Sequence, residues 1–141
     1  MSTINSYTTV HCPYEEVPSG LKAALGGEIA TIPLRFPVGD IHVEKDVRIT
    51  LRPKPDYPGY KVLDISWEPI GGLYPSFHGT LSVEDEGAGW SRIDLDGTYK
   101  PALSFVGAAF DATVGHRIAE ATAAELLRYF KEMLEGRVAA R

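Results

Sequence analysis

The chain has 141 residues, a formal charge of -5 and 44% hydrophobic content, which fits one domain burying about two-thirds of its unfolded surface without metals or cross-links. Lys and Arg are scattered rather than clustered, so the sequence offers no electrostatic footprint for nucleic acid or an anionic membrane. Cys12 is alone, the N-terminal MSTINSYTTV lacks a basic-then-apolar leader, and no run approaches the ~20 apolar residues of a membrane span. These features favour a cytoplasmic protein with no disulfide and no membrane insertion.

Residues Ile4 to Cys12 mix Thr, Tyr, Val and Ile and read as a strand that Pro13 ends. Glu15, Glu16 and Leu21 to Leu25 suggest helix, but Pro18 and Gly20 predict short, irregular turns that stop at Gly26-Gly27. Pro33 and Pro37 make Ile29 to Gly39 an edge segment or loop. From Ile41 to Arg52 the pattern alternates, with Ile41, Val43, Val47, Ile49 and Leu51 in one frame and charged residues in the other. The run Pro53 to Gly59 turns the chain, and Tyr60 to Glu68 returns with Leu63, Ile65 and Trp67 on one face. A second hairpin follows. Phe77, Gly79, Leu81 and Val83 share a frame, EDEGAG turns, and Ile93, Leu95, Gly97 and Tyr99 share the frame of the returning strand, which Pro101 stops.

Phe105 to Arg137 is the longest periodic stretch. Ala108, Ala112, Gly115, Ala119, Ala123, Leu126, Phe130 and Met133 form its apolar face, opposite Arg117, Glu120, Glu125, Arg128, Lys131, Glu132 and Glu135. That face is small up to Ala123 and bulky beyond it. Phe110 and Val114 fall on the side that becomes charged and need a partner of their own. An antiparallel sheet with one apolar face and one long amphipathic helix to cover it defines an α+β architecture.

This order of elements, together with SFHGTL (Phe77, Gly79, Leu81), DGTYKP (Gly97, Tyr99, Pro101) and VGAAFDATVGHRIAEATAAELLRYF, resembles uncharacterised bacterial members of the START and Bet v 1-like superfamily, SRPBCC. The resemblance spans roughly Ile41 to Glu135 and implies the helix-grip fold, a curved antiparallel sheet with the C-terminal helix across its concave face. It also implies a pocket between sheet and helix for an apolar or aromatic small molecule, with no cofactor.

The residues expected to line such a pocket are Lys45, Ile65, Trp67, Phe77, Leu95, Tyr99, Ala112 and Ala119. Lys45 interrupts the apolar frame of its strand, where it either meets a ligand anion or lies at a sheet margin with its amine in water. Trp67 and Tyr99 supply apolar area with one polar handle each, as both binding sites and ordinary cores do. The four histidines lack metal-ligand spacing, and His116 and Asp111 lie on opposite edges of the helix face. No metal site and no catalytic residue is assigned. The leading expectation is binding of a hydrophobic, lipid- or polyketide-like molecule. One alternative is a polyketide cyclase or aromatase-like enzyme using Lys45 and Tyr99. The other is an interaction protein with a filled core, dimerising through Phe110 and Val114.

Overall fold

The structure, a computed structural model, describes residues 2–55, 59–71, 74–100 and 112–140, with backbone only at Ser2, Ala112 and Thr113. The strands are β1 (Ser2–Val10), β2 (Ile29–Val38), β3 (Ile41–Pro53), β4 (Tyr60–Pro69), β5 (Ser76–Gly87) and β6 (Trp90–Lys100). A single 3-10 turn, Tyr14–Glu16, leads into α1 (Val17–Leu25), and α2 (Ala112–Ala139) closes the chain. All strand pairings are antiparallel in the order β1-β6-β5-β4-β3-β2, so β1 and β2 are the two edges.

The period-two frames emerge as expected. Val43, Val47, Ile49 and Leu51 of β3, Leu63, Ile65 and Trp67 of β4, Phe77, Leu81 and Val83 of β5, and Ile93, Leu95 and Tyr99 of β6 are all buried. Ile41 breaks its frame at 44% exposure, because it stands at the hairpin tip beside Gly39. The Pro-containing Ile29–Val38 is an edge strand, where a missing N–H costs no ladder bond.

Two expectations about helices need correcting. Pro18 and Gly20 do not interrupt α1: Pro18 lies in its first turn, where the absent N–H is harmless. Gly20 marks where α1 meets α2, since a Cβ there would stand 2.7 Å from a Leu134 methyl. In α2 the buried residue of the last turns is Leu134 rather than Met133, which is half-exposed, and Ile118, Thr122 and Leu127 are buried as well. The wider stripe reflects a helix enclosed from both sides by a curled sheet and from a third by α1. Residues Phe105 to Asp111 of the expected helix, with Phe110 and Ala108, lie outside the described residues.

The sheet curls round α2 so that the helix runs nearest to its two edges, β1 and β2, and packs on α1. Ile49, Ile65, Trp67, Leu81 and Leu95 occupy the space between and form one cluster with Leu126 and Phe130. At β1 the helix is also tied by polar bonds. Lys131 Nζ donates to the Thr9 carbonyl at 2.8 Å, and the His11 backbone N–H donates to Glu135 Oε2 at 2.9 Å. These side chains satisfy backbone groups at the end of an edge strand.

The His11 N–H first, and Lys131 second, hold the Glu135 carboxyl below its ordinary range. A carboxylate lowered on folding contributes stability present above about pH 5 and lost as pH falls through its folded value. Glu135→Gln is therefore expected to cost about 1 kcal/mol near neutral pH. Urea titrations of both proteins should show that gap closing as pH is lowered toward about 3; a gap independent of pH would contradict the assignment.

Candidate functional site at the sheet and helix interface

Of the expected lining residues, Ile65, Trp67, Phe77, Leu95, Tyr99 and Ala119 come together in the core facing α2, all buried. Trp67 and Phe77 stack with centroids 4.4 Å apart and planes 14° apart, and the Trp67 indole N–H donates to the Pro75 carbonyl at 3.2 Å. The Phe77 ring lies over Gly97, where a Cβ would meet its Cζ at 2.7 Å. Ala119 and Ala123 are fully buried. Ala112 is in the first turn of α2, and its side chain lies outside the description.

Lys45 does not join this group. It is half-exposed on β3 opposite Leu34, separated from Tyr99 on β6 by β4 and β5. It makes no ion pair or hydrogen bond with any described residue.

The polar groups of the interface were not legible in the strand frames. Tyr99 Oη lies 3.0 Å from His116 Nδ1, and His116 Nε2 lies 3.3 Å from Glu120 Oε2. His116 thus meets a buried phenol at the solvent edge, beside an exposed carboxylate. A second phenol meets the helix one to two turns on. Thr122 Oγ1 donates to the Ile118 carbonyl at 2.7 Å, so its oxygen accepts from the Tyr74 hydroxyl. Burial pushes the Tyr74 phenol up to about 12, the bond to Thr122 acting the other way, so it remains a neutral donor. The sequence reading passed over Tyr74 inside a loop; its neighbour Pro75 and the half-apolar face around Thr122 were the available signals.

Val114 is half-buried and packs against the core, and Phe110, the other residue expected at a dimer contact, lies outside the described residues. Among the outward charges, Arg92 binds Asp94 on its own strand and lies over Tyr7, Arg52 reaches Glu28, and Lys54 reaches Asp64.

A cavity of about 310 Å³ opens between Ile32–Arg35 of β2 and Glu125, Arg128 and Tyr129 of α2. A smaller one of about 100 Å³ lies where Gly20 of α1 meets Leu134 and Val138 of α2. Neither is lined by Lys45 or Tyr99. No helix among the described residues is long and apolar enough to cross a membrane.

The curled six-stranded antiparallel sheet closed by a long C-terminal helix is a helix-grip α+β fold. Among solved structures, a conserved protein from Geobacillus kaustophilus superposes with a TM-score of 0.60 at 14% identity, over 99% of this chain and 96% of its own. The Zhui aromatase/cyclase from Streptomyces sp. R1128 also gives 0.60 at 14% identity, over 96% and 94% of the two chains. A START superfamily protein from Mycobacterium smegmatis gives 0.55 at 12% identity, over 99% of each. The sequence matches no family model, and no curated protein matches it significantly.

Proposed function

We propose that the protein binds a hydrophobic or aromatic small molecule between the sheet face of Ile65, Trp67, Phe77, Leu95 and Tyr99 and the Ala112 to Ala123 half of α2. The observation that carries this reading is the convergence of two tyrosine hydroxyls, Tyr99 on His116 and Tyr74 on Thr122, upon the small-residue half of the helix within an otherwise apolar core. Apolar walls with a few converging polar groups are what small-molecule sites are made of. The likeness in fold to a START protein and an aromatase/cyclase supports the same reading.

The neutral dye Nile red tests it. Saturable fluorescence enhancement is expected with the wild type, with a large loss in Ala119→Phe, which fills the space at the helix, and a smaller loss in Tyr99→Phe, which removes the handle. Thermal melts confirm that each variant is folded. Binding that both folded variants retain unchanged would contradict the proposal.

A second reading, a cyclase-like enzyme, is favoured by the hydrogen bond between the buried Tyr99 phenol and the part-exposed His116, with the Glu120 carboxylate 3.3 Å from the far side of the ring. Such an arrangement suits proton transfer to or from a bound ketone. Lys45 has no part in it.

A further inference from the structure

The second candidate site lies on the opposite flank of α2. The helix is bonded to β1 through Lys131 and Glu135, whereas no hydrogen bond or ion pair joins it to β2 among the described residues. Beside the other edge, which the helix also contacts, lies the 310 Å³ groove. That volume lies at the lower end of the range of about 300 to 1,000 Å³ for ligand pockets, enough for one or two fused rings.

The walls define the chemistry of an occupant. Ile32, Pro33 and Leu34 supply an apolar side, and Tyr129 adds a half-buried ring. Arg128 is already committed to Glu125 and Glu132, its Nη1 lying 2.6 Å from Glu132 Oε2, so these three groups add no free cation. Arg35 is different. Its register partner on β3 is Glu44, but Glu44 pairs with His42 at 3.5 Å, and Arg35 makes no ion pair or hydrogen bond with any described residue. An exposed arginine with no partner among the described residues thus lines an apolar slot. An added peptide strand is disfavoured, because Pro33 and Pro37 remove two donors from β2.

We propose that this groove is a binding site for a small planar aromatic carboxylate, its ring between Leu34 and Tyr129 and its carboxylate on Arg35. The site shares no residue with the sheet and helix interface and stands or falls independently of it.

The test is an amide NMR titration of the full chain with 2-naphthoate and with its neutral counterpart, 2-naphthalenemethanol. Saturable shifts are expected over residues 32–35 and 125–129, with the acid binding about tenfold more tightly than the alcohol, the worth of one charge-assisted contact. Arg35→Gln, an exposed substitution that leaves the core intact, should bring the acid down to the affinity of the alcohol. Three results overturn the proposal: no saturable shift in these segments, acid binding unaffected by Arg35→Gln, or shifts that centre on Trp67 and Tyr99 instead.

Discussion

Replacing Gly79 with alanine is expected to destabilise the protein by about 3 kcal/mol or more, at the upper end of the overpacking range. Gly79 and Gly97 are register partners on the adjacent strands β5 and β6. A Cβ on Gly79 would lie 2.1 Å from the Asp96 carbonyl oxygen and 2.7 Å from the Gly97 Cα. These are backbone atoms of a paired strand, so no side chain can rotate out of the way, and relief requires separating the two strands where the sheet curls. Gly136→Ala in the exposed end of α2 is the control, because nothing lies within 4 Å of a Cβ there. That change should be neutral or stabilising by up to about 1 kcal/mol through helix propensity. Urea titrations should show the midpoint falling for Gly79→Ala and not for Gly136→Ala; equal midpoints would refute the close strand contact.

Trp67→Ala is expected to cost about 3 to 5 kcal/mol, which approaches the whole stability of an ordinary domain. Trp67 is fully buried, stacks on Phe77 and donates its indole N–H to Pro75. Truncation opens a cavity and leaves the carbonyl of Pro75 without its donor. Trp67→Phe should cost less, about 1 to 2 kcal/mol for the lost hydrogen bond plus a small void. The ratio of the two losses measures how much of the contribution is packing. Similar losses would mean that the indole hydrogen bond, not the ring volume, dominates.

The strands were legible because each is buried on one face, and alternation reports that directly: Ile93, Leu95 and Tyr99 against Arg92, Asp94 and Asp96 need no tertiary knowledge. The edge character of β2 was equally plain from Pro33 and Pro37. Helical boundaries and faces were less so. Gly20 looks like a breaker in isolation, and only the presence of Leu134 across the crossing explains it. The stripe on α2 was drawn one residue off at Met133, since a helix enclosed on three sides buries more than a single 3.6-residue face. The site suffered most from this limit. Tyr99 and His116 are 17 positions apart, and Tyr74 and Thr122 are 48 apart. No local pattern links them, because the connection is made by where the sheet curls and how α2 packs against it. Lys45 was open to two readings from its frame alone, and the strand order is what separates it from Tyr99.

The binding proposal is tested most directly by the two indole N–H signals of the protein, one from Trp67 at the interface and one from the 40% exposed Trp90. Titration with a neutral aromatic such as naphthalene should shift the Trp67 signal saturably and leave that of Trp90 in place. Saturable shifts at Trp90 with Trp67 unmoved, or no shift at either, would contradict binding between the sheet and α2.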